Sequence, residues 1–200
     1  DVFFGVYGGA LRQQMALEMP KASLRVVPEG FTDDEALSEG RIDLAICATN
    51  KFSSDIKVQR LFTCPFVGLA REGHPIFDQP ITAQRFIAFD HISVSRRGRA
   101  RGPIDTVLAE QGLERRVSFT TPTFYSAIFA LAGADLILPL MPQVLLKTLA
   151  PMGLKLRPFE LPIPLQPVEI FQAWHPRLDN DHAHRWLRRT LKTFCDNAVA

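Results

Sequence analysis

The side chains in this sequence with chemistry to offer are imidazoles, thiols and hydroxyls, and their spacing decides what that chemistry is. The segment D-N-D-H-A-H (179–184) invites a metal, but residues two apart on a helix point in different directions, so His182 and His184 do not chelate as an i, i+4 pair does. Asp181 is better used as a helix cap. His91 and His175 stand far from both, and no metal site is expected. His91, at a strand start or cleft edge, reads either as a hydrogen-bond partner of a ligand or as a core histidine with its own partners. Cys47, Cys64 and Cys195 are odd in number, widely spaced and without a C-x-x-C pair, which points to inert buried thiols rather than a disulfide framework or a zinc site. No G-x-S-x-G elbow, H-E-x-x-H or close carboxylate pair occurs, so nucleophilic, zinc and glycosidic chemistry have no visible carrier. Gly5, Gly8 and Gly9 do not form G-x-G-x-x-G, and no cofactor is expected.

What remains is binding chemistry. Ligands of open α/β sheets sit outside the C-terminal strand ends, where the amides of the next helix point outward. The run HISVS (91–95) ends in this way: Ser93 and Ser95 supply hydroxyls, and a helix opening at Gly102-Pro103 supplies a positive dipole end for a carboxylate or phenolate. The alternative is that both are ordinary turn serines. Thr121, Thr123 and Phe124 stand at a second strand-to-helix junction, where the threonines serve a ligand or cap the helix and Phe124 supplies an aromatic wall. Arg96, Arg97, Arg99 and Arg101 crowd the first loop; with no interleaved aromatics they read as a solvated loop from which one guanidinium turns inward to an anionic ligand. Gln172, near the end of the chain, is the last candidate contact, with Trp174 left as core.

These residues need elements to hold them. Phe4, Tyr7, Leu11, Met15 and Met19 recur at helical spacing, predicting a helix over 3–19 that Pro20 ends. LRVVP (24–28) reads as a strand, Thr32 with Glu35 as a capping box, and IDLAICA (42–48) as a strand buried on both faces. VQRLF (58–62) and PFVGLA (65–70) follow, and Gly73-His74-Pro75 marks a boundary. Beyond it come a short helix from Thr82, strand 91–95, helix 103–112, strand 116–120, helix 123–133, strand 135–140 and helix 142–150. The proline-rich stretch 158–167 suits an extended crossing, EIFQAW (169–174) the last strand, and Asp181 caps a final helix with Leu187, Leu191, Phe194 and Cys195 on one face. Helices alternating with short apolar strands predict α/β units with mostly parallel sheets. Leaving one lobe near residue 70 and returning near 171 gives lobe I as 1–70 plus 171–200 and lobe II as 71–170, joined by two crossing strands around a hinged cleft.

Composition narrows the class further. The chain has 200 residues, 46% of them hydrophobic, which suits a packed globular domain. Its 23 basic and 21 acidic residues nearly cancel, so no global field holds nucleic acid or an anionic membrane. No apolar window reaches the run of about 20 residues that spans a bilayer, and DVFFGVYGGALRQQ lacks the flank and core of a signal peptide, so a cytoplasmic location is expected.

The order LSEGRIDLAI (37–46), GLAREGHPIF (68–77), HISVSRRG (91–98), DLILPLMP (135–142) and WHPRLDNDHAHRWLR (174–188) resembles the LysR-type transcription regulators, especially the branch that senses nodulation flavonoids or aromatic acids. The resemblance implies two Rossmann-like α/β lobes of periplasmic-binding-protein-like architecture. It implies no enzyme activity, but an allosteric sensor with a small aromatic or anionic effector in the cleft. DNA is then read through an N-terminal winged helix-turn-helix that lies outside this chain, and the domains assemble as homodimers or homotetramers. The rival readings are a transporter's solute-binding protein and an enzyme with an interlobe cleft.

Overall fold

Phe3, Tyr7, Leu11 and Met15 lie on one stripe of helix α1 (Val2–Glu18), and all four are buried. A computed structural model describes residues 2–28 and 33–199. The stripe faces the C-terminal helix: the Tyr7 and Phe194 rings stack with centroids 6.3 Å apart. Residues 24–28, read above as a strand, carry no strand pairing and are exposed. An extended apolar run becomes a strand only where another backbone offers it hydrogen bonds, and no described strand lies against this one. The Thr32–Glu35 box lies outside the described residues.

Helix α2 (Asp33–Glu39) ends at Gly40, whose φ of +77° suits a residue without a Cβ. Strand β1 is only Ala45–Cys47, shorter than the run IDLAICA suggested, because only these three residues find strand partners. Strand β2 (Lys57–Cys64) and the late strand β8 (Val168–Trp174) complete a three-stranded sheet of order β1-β8-β2, antiparallel throughout. A bulge between Arg60 and Phe62 places Leu61 opposite no residue of β8. Helix α7 (His182–Val199) packs on β2, capped by the Asp181 carboxylate, which accepts from the His184 amide at 2.7 Å.

A second sheet of five strands forms from β3 (Phe66–Arg71), β4 (Asp90–Val94), β5 (Arg116–Thr121), β6 (Leu136–Pro142) and β7 (Leu156–Phe159), in the order β5-β4-β6-β3-β7. Only β4 pairs in parallel, with β5 and with β6; β3 runs antiparallel to β6 and β7. The expectation of mostly parallel sheets is therefore corrected. The βαβ rhythm holds only where α4 (Pro103–Glu110) and α5 (Phe124–Leu131) connect β4, β5 and β6. Thr82 caps α3 (Ala83–Ile87) by accepting from the Arg85 amide. The helix expected over 142–150 shrinks to α6 (Leu146–Leu149) between two 3-10 turns. Pro142 ends β6 instead of opening a helix.

The chain divides into two compact units, Pro65–Pro167 and Phe3–Cys64 with Val168–Ala200. Each has its own core. Ile76, Phe86, Ile104, Leu108, Ile137 and Phe159 fill the first, and Leu37, Ala45, Ile56 and Ala173 part of the second. The fold class is α/β.

Candidate functional site

In the larger unit, β4 and β5 run side by side in parallel, with Ser93 opposite Thr120 and Val94 opposite Thr121. On its other side β4 meets β6 only at Asp90–Leu136 and His91–Ile137. Pro139 explains why that ladder stops: it has no N–H to donate, and an extra β6 residue opposite the Val67–Leu69 stretch of β3 marks a bulge there. Past His91, therefore, β4 has a hydrogen-bonded neighbour on the β5 side alone. This is the crevice geometry at which open α/β sheets hold ligands, at strand ends from which helices leave in different directions.

Five of the expected residues gather at this end. The Ser95 amide donates to the Thr121 carbonyl at 2.9 Å, carrying the β4–β5 pairing one step past β4. Ser93 Oγ donates to the Arg99 carbonyl (3.0 Å), and Ser95 Oγ accepts from the Arg99 amide (3.0 Å), so the two serines clamp the arginine loop from below. Ser93 has spent its proton; Ser95 has spent a lone pair, and its own O–H remains a donor. Thr121 is buried in the strand end. Thr123 caps α5, accepting from the Ser126 amide at 3.2 Å and sharing a hydrogen bond with the Ser126 hydroxyl at 2.8 Å. Phe124 opens α5 and is half-buried.

Two expected residues lie elsewhere. His91 sits at the opposite end of β4, fully buried, with Nε2 2.9 Å from the Phe86 carbonyl and its ring edge-on to Phe86 at 4.5 Å. Burial pushes its pKa down to about 4, so the ring is neutral and structural. Gln172 belongs to the smaller unit, fully buried on β8, where its Nε2 donates to Gln59 Oε1 (2.6 Å) and to the Arg188 carbonyl (3.3 Å). Both side chains are fully buried, each within its own unit.

The sequence reading passed over three residues beside the site. Arg115, its side chain 2% exposed, makes a two-pronged pair with Asp105, Nε to Oδ1 at 2.9 Å and Nη2 to Oδ2 at 3.0 Å, and also donates to the Ala100 carbonyl. Asp105 Oδ2 accepts from the Gly102 amide at 2.7 Å. Burial pushes the Asp105 carboxyl up, but Arg115, the Gly102 amide and Arg101 outweigh it and hold it below the usual range. Together the pair fixes the start of α4 and the far end of the arginine loop. An acidic residue three places after a helix start was the available signal. Tyr125, in the first turn of α5, is the third; burial raises its phenol, which stays protonated and able to donate.

Among the described residues no group of three or more His, Cys, Asp or Glu is placed to hold a metal. All three cysteines are buried and none is in a disulfide, and burial pushes Cys195 up to about 12. No helix among the described residues is long and apolar enough to cross a membrane.

Two compact units, each with its own sheet and core, define the class of this chain as a two-unit α/β protein. Within it, residues 10–196 match the family described as LysR substrate binding domain, and the chain belongs to that family. It is 32% identical over 188 residues to the HTH-type transcriptional regulator LinR of Sphingobium indicum, covering 91% of this chain and 60% of LinR. It is 28% identical over 157 residues to the HTH-type transcriptional activator NahR of Pseudomonas putida, covering 78% and 52% respectively. The chain thus spans between half and two thirds of these relatives. Its fold matches the regulatory domain of MexT, a transcriptional activator in Pseudomonas aeruginosa, with a TM-score of 0.80 at 28% identity, over 96% of this chain and 92% of that one. The effector binding domain of QuiR, in complex with shikimate, shares the fold at a TM-score of 0.67 and 17% identity, over 95% and 90% of the two chains. These relatives share the periplasmic-binding-protein-like architecture.

Proposed function

We propose that this chain is the effector-sensing domain of a DNA-binding transcription regulator, and that its larger unit takes a small carboxylate or phenolate, aromatic or cyclic, at the C-terminal ends of β4 and β5. The observation that carries this reading is the early end of the β4–β6 ladder, which leaves an open strand end beside the Ser95 hydroxyl. The first-turn amides of α5 offer partial positive charge to an anion there. Phe124 and Tyr125 form an amphipathic wall, and the exposed arginines of the 96–101 loop raise the local anion concentration. QuiR, built on the same fold, holds shikimate, a ligand of this size and charge. The effector works by differential affinity for alternative arrangements of the domain, which bias a homodimer or homotetramer on DNA read by a separate helix-turn-helix segment. This is a sensor in the cytoplasm rather than a catalyst.

A thermal-shift screen of aromatic and alicyclic acids tests it. An effector at about 100 times its Kd stabilises the folded chain by roughly 2.7 kcal/mol. Ser95→Ala removes most of that shift, and Thr123→Val weakens binding as well as the cap. Unchanged affinity of a confirmed effector in both variants would sink the assignment.

A further inference from the structure

A second concave surface lies wholly within the smaller unit, where α7 passes over β2 and β8. It encloses about 550 Å³ and is lined by Gln59, Trp174, Arg185, Arg188, Arg189, Lys192 and Thr193. The four cations recur at 185, 188, 189 and 192, one face of a helix, and no carboxylate lines the same groove. Arg188 is 9% exposed, with its guanidinium 4.5 Å above the Trp174 ring; it donates to the Leu178 carbonyl (3.2 Å) and to His184 Nδ1, and it has no carboxylate partner among the described residues. Arg185 and Arg189 make no ion pair among the described residues either. Lys192 reaches the bulged Leu61 carbonyl and is shared with Asp196.

The nearby acids are already engaged. Asp179 holds Lys57 and the Trp174 indole, Asp181 caps α7, and Glu18, in the adjoining groove, is held by Gln14 and Trp186. Beneath the groove, Gln172 is fully buried with an Oε1 that finds no donor, while its Nε2 ties down Gln59, whose own amide faces the groove. Asp179 and Asp181 offset part of the Arg188 charge from a distance, but neither forms a salt bridge with it, and Arg185 and Arg189 beside it oppose that charge, so an arriving anion relieves the cluster.

We propose that this groove is a second ligand site, taking a small organic anion with at least two negative charges, of the phosphate-ester or polycarboxylate class. The guanidinium forks match such oxygens two at a time, and the Gln59 amide supplies a neutral contact. The volume suits a metabolite rather than a polymer.

Calorimetric titration of the 200-residue chain with inorganic pyrophosphate and with citrate, at constant ionic strength, tests it. One saturable site per chain is expected for at least one of them, with pyrophosphate alone indicating phosphate esters and citrate alone indicating polycarboxylates. The double variant Arg185→Glu, Arg189→Glu, at one half-buried and one exposed position, keeps the wild-type melting temperature and weakens binding by about tenfold or more, as does Arg188→Met if it folds. Heats that fail to saturate below about 10 mM would overturn the proposal, as would equal affinity in the double variant. Displacement of either anion by unrelated duplex DNA would assign the groove to nucleic acid instead.

Discussion

At the scale of single residues, two buried polar groups do more for stability than their exposure suggests. His91 is neutral in the fold, with a pKa near 4 against an ordinary value of 6.5. Its unfolded form takes up a proton before its folded form does, so stability present at neutral pH is lost as pH falls from about 6.5 towards 4. The full loss is roughly 3 kcal/mol. Urea titrations across that range reveal the slope, and His91→Gln, which keeps a donor for the Phe86 carbonyl and removes the titration, flattens it. Asp105 is the second group. Asp105→Asn leaves the Arg115 guanidinium buried without its charge partner and is expected to cost about 3 kcal/mol by denaturant unfolding, where an exposed pair such as Arg101–Glu114 costs well under 1. The residue types at the site were legible as strand-end hydroxyls. The Arg115–Asp105 pair was not, because its partners lie ten positions apart across a helix and a turn.

Elements carry the next set of consequences. Thr123 emerged as both candidate contact and candidate cap, and the cap is what the geometry displays: Thr123→Val is expected to lower stability by about 1 kcal/mol, read from the thermal melt. Strand β3 offers a sharper test at Gly68. A Cβ there would stand 2.3 Å from Phe159 Cζ, and that ring is held in place by Phe77 and Phe86, so it has little room to yield. Gly68→Ala is expected to cost about 2–3 kcal/mol, and adding Phe159→Leu recovers part of it. The helix starts at Thr82, Pro103, Thr123 and Asp181 were readable, since caps and N1 prolines are local signals. Strand 24–28 was misread because propensity is local and pairing is not, and the run found no partner; the 142–150 run is helical from Gln143 but as 3-10 and α turns, with only Pro142 given over to β6.

Across the whole molecule, the larger unit is an insertion into the smaller one. Cys64 and Val168, the residues flanking it, face each other across the β2–β8 ladder, so Pro65 and Pro167 leave from neighbouring points. Residues 65–167 carry a complete five-stranded sheet and a core of their own, and this excised segment is expected to fold alone with a cooperative melt and native-like circular dichroism. A molten, non-cooperative fragment would show that the smaller unit completes its core. The amino-acid sequence by itself determined the class of fold, most of the elements, the near-neutral charge balance and the hydroxyls at two strand ends, because hydrophobic period, caps and turn residues act over a few positions. Only the tertiary structure decided which strands pair and in what direction. It also decided that His91 and Gln172 are fully buried, and that four cations of α7 share a groove with Gln59 and Trp174. Those outcomes depend largely on contacts between residues tens to more than a hundred positions apart, where burial and partnership are settled by the packed chain as a whole and not by any window along it.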